Sequence, residues 1–242
     1  MSAGQDVFLM LESAAGNLGE LVVDKDFEEI PVRTRIGLFT DLVRAARDMH
    51  EAGIVHRDIT PQNVLVVGGC EARSGCHAVL CDFGNACSYG GSSPWPSQEL
   101  SGFEAPEVFT AEGDRPARDM WSVGLVLLQL MDHGPEAERT FHEGALRSSI
   151  AKGEFTAKDP SVVAIMDAVG PMWAKILQRM LDPNVATRAT AAEVLDMLEE
   201  EALSQGGTLK PARGPPSPLD GWSSGAPPRW QAFFRRLVLS PR

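Results

Sequence analysis

Basic residues are scarce in this chain: 22 Lys and Arg stand against 33 Asp and Glu, for a net charge of −11. A nucleic-acid surface needs a basic face, so this balance argues against that class of partner. Long apolar runs are also lacking. The longest, VGLVLLQLM at 123–131, has nine residues and contains Gln129, against about 20 for a membrane-spanning helix. The opening MSAGQDVFLMLES has no basic flank and too short an apolar run for a secretory signal. A soluble cytoplasmic protein with no transmembrane segment is the expectation. Cysteine is limited to Cys70, Cys76, Cys81 and Cys87, with His77 beside one of them. Their spacings match no common zinc pattern, and the expectation is four reduced thiols. What is present suffices for a core: 242 residues, 43% of them hydrophobic, make one large domain or two small ones.

Along the chain, VFLML (7–11) reads as a short buried strand. In residues 33–53, Ile36, Phe39, Leu42, Val43, Ala46 and Met49 recur at helical spacing, and Gly53 offers a stop. NVLVV (63–67) and AVLC (78–81) are short β-branched runs flanking a Gly-rich loop, the pattern of an antiparallel pair. Residues 85–104 are rich in Ser, Gly and Pro without a period and read as a long surface loop. Residues 119–132 are apolar on nearly every face, as in a helix buried within a domain. Trp173, Ile176, Leu177, Met180 and Leu181 mark another helix, and Thr190 with Glu193 forms a capping box opening the last, through about 203. From 204 to 228 the composition turns to a Pro/Gly/Ser linker expected to be disordered. It leads to a basic amphipathic tail at 229–242, where weak membrane contact or docking on the acidic domain are the alternatives to remaining free.

One short stretch carries chemistry. VHRDITPQN (55–63) places an aspartate and an asparagine five residues apart, and CDFGN supplies a second carboxylate, Asp82, at a strand end. Phosphoryl transfer from a nucleotide to a hydroxyl needs metal ions on the phosphates, a carboxylate near the attacking hydroxyl, and tight positioning. Asp58 suits the hydroxyl. Asn63 contributes a neutral hard oxygen and Asp82 a charged one, which together suit magnesium. Pro61 stiffens the loop and restricts Thr60. Gly84 is free to take a positive φ.

At these residues the chain resembles the catalytic half of eukaryotic protein kinases. HRDITPQN, DFG (82–84), APE (105–107), DMWSVG (119–124) and the lone Arg188 follow that family's order and spacing, over roughly residues 7–203. The resemblance implies an α+β, mainly α fold, a kinase-like large lobe (1–203) with a short β-hairpin carrying the catalytic and DFG loops. It implies a hinge-like segment at 7–15 and an activation segment at 82–107. It also implies ATP and Mg2+ as cofactors and a protein substrate with a Ser/Thr acceptor. Asp58, Asn63 and Asp82 become the catalytic set, with Asn63 and Asp82 on the metal and Thr60 beside the nucleotide. Arg57 resembles the arginine that pairs with a phosphorylated activation segment. Glu107 and Arg188 resemble a structural ion pair, and Asp119 the acid that braces the catalytic loop holding His56.

The chain departs from the pattern in two ways. The family's serine/threonine members usually carry a lysine where Thr60 stands and a threonine where Leu100 stands, so less positive charge faces the transition state. No Gly-x-Gly-x-x-Gly occurs, and the first lysine is Lys25. The expectation is a large lobe essentially without a small lobe, needing that lobe or a regulatory partner and binding ATP weakly alone. Three readings stay open: a truncated serine/threonine kinase domain, a non-catalytic kinase-like binding module, and a small-molecule phosphotransferase.

Overall fold

The computed structural model describes residues 14–23, 30–70, 75–89, 101–110, 115–131 and 160–204, with scattered positions between 149 and 158 and residues 206–209. The strand expected at 7–11, residues 90–100 with Leu100, and the tail beyond 209 lie outside the described residues.

The helices follow their apolar spacing. Helix α1 (Leu18–Val23) is capped reciprocally by Asn17 and Glu20. Helix α2 (Val32–Glu51) begins directly after Pro31 and buries Leu38, Phe39, Leu42, Val43, Ala46 and Met49, while Ile36 is only half-buried. It ends as Gly53 takes φ 76° and donates its N–H to the His50 carbonyl. Helix α3 (Pro116–Met131) is buried along nearly its whole length and forms the centre of the core. Around it pack α2, α4 (Pro160–Val169) and α5 (Pro171–Met180), and α6 (Ala191–Ser204) closes over α2 and α5. Phe39 of α2 meets Trp173 of α5 edge to face, with ring centroids 6.3 Å apart. The capping box forms as its spacing predicts: Thr190 donates its N–H to Glu193 Oε2 (2.8 Å), and Glu193 donates its own to Thr190 Oγ1 (3.3 Å).

The hairpin pairs antiparallel. Strand β1 (Gly16–Asn17) lies beside β3 (Val64–Val67), which pairs with β4 (His77–Leu80) in the register Val64 to Leu80 and Val67 to His77. Val64, Val66, Ala78 and Leu80 are buried against α2 and the core, whereas Leu65 and its cross-strand partner Val79 share the other, partly exposed face.

Two expectations are corrected. Residues 85–104 are not all loop: Cys87–Ser88 form strand β5, antiparallel to β2 (Ile54–Val55) in the register Val55 to Cys87. Two residues are too few for any periodicity to show, and the pairing is set by a partner more than thirty positions away. Nor are all four cysteines reduced. Cys70 and Cys76 are joined in a disulfide, and Cys81 and Cys87 are thiols. The register of β3 and β4 closes the hairpin so tightly that the two Cα atoms are 4.7 Å apart, inside the range a disulfide spans. No helix among the described residues is long and apolar enough to cross a membrane.

Candidate active site

The site is built from the segment between β2 and β3, and one buried carboxylate shapes it. Asp119, in the first turn of α3 and 1% exposed, accepts the His56 N–H at 2.8 Å and the Arg57 N–H at 2.9 Å. Its Oδ2 also meets His50 Nε2 at 2.9 Å, where the ring nitrogen donates. This grip holds Arg57 in the left-handed region at φ 70°, an unfavourable backbone for a long side chain that packing must enforce. Ile59 is sunk into the core, which turns its neighbour Asp58 outward to a half-buried position.

His56 is fully buried. Its Nε2 meets the Cys81 carbonyl at 3.0 Å, its ring lies against Phe83 with centroids 4.8 Å apart, and its Nδ1 finds no hydrogen-bond partner among the described residues. Burial pushes its pKa below the ordinary value, outweighing the attraction of Asp119.

Pro61 starts a 3-10 turn, Pro61–Asn63, in which the Asn63 N–H bonds the carbonyl of buried Thr60 at 3.0 Å. The Asn63 amide nitrogen donates to the Asp58 carbonyl at 2.9 Å. That bond leaves Oδ1, a neutral hard oxygen, available to a ligand. Across the hairpin, the Cys81 N–H donates to the Asn63 carbonyl at 2.9 Å, so Asp82 follows directly on the residue facing Asn63. Asp82 is exposed, and its Oδ1 accepts the Gly84 N–H at 3.2 Å.

Gly84 does not use the conformational freedom open to it. Asp82, not Gly84, takes the positive φ, at 58°, and Gly84 sits within the 3-10 turn Phe83–Asn85. Aspartate tolerates the left-handed region because its short carboxylate bonds the local backbone. Glycine serves here through size: a Cβ at Gly84 would lie 3.1 Å from Asp82 Oδ1.

Asp58 Oδ2 accepts a hydrogen bond from the Asn85 amide at 3.0 Å. Burial pushes the Asp58 carboxyl above the usual carboxylate range, and the Asn85 bond works against that shift. Arg57 Nε donates to the Asn85 carbonyl at 2.6 Å, so the guanidinium is buried against the segment after Asp82. Farther along, Glu107 is held bidentately by Arg188, both deeply buried. Ser122 Oγ donates to the Phe103 carbonyl at 2.7 Å, tying the segment before Glu107 to α3.

The hairpin and its flanking turns therefore bring Asp58, Asn63 and Asp82 to one end of the sheet. Among the described residues no three His, Cys, Asp or Glu side chains gather to hold a metal ion. The donor set still fits magnesium, which takes oxygen ligands and commonly keeps one or two from protein, the rest coming from phosphate and water. Sequence reasoning missed His50 and Asn85. Nothing in the sequence separates His50 from the other polar residues ending α2, or Asn85 from a solvated loop residue.

A model of the protein kinase domain matches residues 1–198. The chain belongs to the protein kinase family. Within that family it is 33% identical to serine/threonine-protein kinase D3 of Homo sapiens over 122 residues, half of this chain and 13% of that protein. To serine/threonine-protein kinase D2 of Rattus norvegicus it is 33% identical over 124 residues, 51% of this chain and 14% of that protein. The kinase chain thus aligns with only a small part of the length of these relatives.

Proposed function

We propose that this protein transfers the terminal phosphoryl group of ATP to serine or threonine hydroxyls of protein substrates, using Mg2+. The observation that carries the reading is the hairpin-end geometry. Asn63 spends its amide nitrogen on the Asp58 carbonyl at 2.9 Å, and its backbone carbonyl anchors Cys81, the residue before Asp82. One loop thereby sets the spacing between a hydroxyl-orienting carboxylate and two oxygen ligands.

Asp58 orients the acceptor hydroxyl and takes its proton as the new bond forms. Asn63 Oδ1 and the Asp82 carboxylate would hold the metal. Magnesium bound there would supply positive charge to offset that of the phosphate oxygens. Asp119 acts at a distance, keeping the two amides before Asp58 fixed. Leu65 of β3, just past the turn that carries Asn63, and its cross-strand partner Val79 form a partly exposed apolar face that suits a flat base. Both relatives named above are serine/threonine-protein kinases, which supports the choice of acceptor.

The test is phosphate transfer from labelled ATP to a library of Ser/Thr peptides. At saturating ATP, which offsets the weak binding expected of this lobe alone, slow transfer is expected with Mg2+, lost on chelation, and reduced by about 10²–10⁴-fold in Asp58→Asn. The same substitution should leave ATP binding intact, while Asp82→Ala should weaken Mg2+-dependent nucleotide binding. Absence of transfer with Mg2+, or undiminished transfer in Asp58→Asn, refutes the reading.

A further inference from the structure

Asn85 stands at the meeting point of both halves of the site. It closes the 3-10 turn that follows Asp82. Its side-chain amide donates to Asp58 Oδ2 at 3.0 Å, and its backbone carbonyl accepts from Arg57 Nε at 2.6 Å. Among the described residues no other hydrogen bond reaches the Asp58 carboxylate. Two residues on, β5 pairs with β2, so the segment carrying Asn85 is fixed to the strand that leads into Asp58. Only the amide nitrogen of an asparagine can donate to a carboxylate, so the polarity of the contact is unambiguous.

We propose that Asn85 is a positioning residue for phosphoryl transfer, its amide holding Asp58 Oδ2 so that Oδ1 is left for the acceptor hydroxyl. The inference rests on the phosphoryl-transfer reading above. The donor is neutral, which suits the task. It fixes one rotamer of Asp58 without cancelling the negative charge that attracts the hydroxyl proton, as an ammonium at the same distance would. The link also couples the two functions of the site. Movement of the turn after Asp82 carries Asn85 with it, so displacing the metal ligand also releases the base.

Two variants separate side chain from backbone, because the Arg57 bond goes to the Asn85 carbonyl and survives either change. Asn85→Ala removes the donor, and Asn85→Asp keeps the shape while setting a carboxylate against a carboxylate. Three-bond couplings from Asp58 Cγ to the backbone nitrogen and carbonyl carbon read its χ1 rotamer with no turnover needed. One rotamer is expected in the wild type and averaging in both variants. In peptide phosphorylation both variants should lose about tenfold to a hundredfold in kcat with KM for ATP unchanged, and Asn85→Ala should cost nothing more in an Asp58→Asn background. The exchange Asp58→Asn with Asn85→Asp rebuilds the bond in reverse and should recover the thermal stability lost in Asn85→Asp alone, without recovering transfer. An unchanged Asp58 rotamer in both variants overturns the proposal. So does rotamer averaging with wild-type kcat, or failure of the exchange to restore stability. A wild-type protein that transfers no phosphate refutes the function assigned above instead, and the couplings and the exchange then decide the Asn85 contact by themselves.

Discussion

Arg188 and Glu107, 81 positions apart, form a bidentate ion pair from which water is nearly excluded: the arginine side chain is 0% exposed and the glutamate 5%. Arg188 also donates to the carbonyls of Asp182 and Ala117, and its guanidinium lies 5.0 Å from the centre of the Trp121 ring. One side chain thus joins the segment after the site, the start of α3 and the loop between α5 and α6. A buried pair of this kind contributes little against an apolar replacement, but leaving one partner alone is costly. Arg188→Leu is therefore expected to lower the unfolding free energy in urea by about 3–5 kcal/mol. The double variant with Glu107→Leu should lose less than Arg188→Leu alone. A double variant that loses the sum of both singles would show that the two charges do not compensate each other.

His56 gives stability a pH dependence whose sign follows from its burial. Its folded-state pKa lies below the ordinary 6.5, since burial penalises the imidazolium more than Asp119 favours it. Between those two values the unfolded chain binds the extra proton and the folded chain does not. Stability is therefore full above 6.5, falls as pH drops through that value, and levels off below the lowered folded-state pKa. The contribution of this one group cannot exceed about 1.4 kcal/mol per pH unit. Urea midpoints measured between pH 7.5 and about 5 should fall less steeply in His56→Phe than in the wild type. Parallel profiles would rule out burial of neutral His56 as the cause.

The long elements were legible because their patterns are long. Phe39, Leu42, Val43 and Ala46 of α2, and the apolar faces of α3, announce burial by repetition over several turns. The Thr190–Glu193 box is a local device and needs no tertiary information. The grouping of Asp58, Asn63 and Asp82 was legible through motif spacing, since a short hairpin must bring its two ends together. What escaped depends on contacts distant in sequence. Strand β5 exists because β2 lies beside it. His50 matters because Asp119, 69 positions later, turns a carboxylate toward it. Asn85 matters because Asp58 is three ångströms away. The positive φ fell on Asp82 rather than Gly84 because the carboxylate can bond Gly84 N–H, an energetic choice that residue type alone does not decide.

The Cys70–Cys76 disulfide is the sharpest departure from the sequence expectation and is directly measurable. It closes the tip of the β3–β4 hairpin across a sequence separation of six residues, at the opposite end from Asn63 and Cys81. Cross-linking so short a loop removes unfolded-state entropy worth about 2 kcal/mol. Cys70→Ser is thus expected to lower the unfolding free energy by about that amount. A reductant should bring the wild type to the same level and leave the variant unchanged. Thiol titration of the unfolded, unreduced chain should detect only Cys81 and Cys87. The site lies four strand residues away, about 13 Å along an extended chain. Loss of the bond should accordingly release amide protection first at Val67 and His77, with the Cys81 N–H bonded to Asn63 exchanging as before. Four reactive thiols, or a reductant with no effect on the wild type, would return the hairpin to the reduced state expected from the sequence. Equal loss of protection at Cys81 would instead mean that the tip and the site open as one unit.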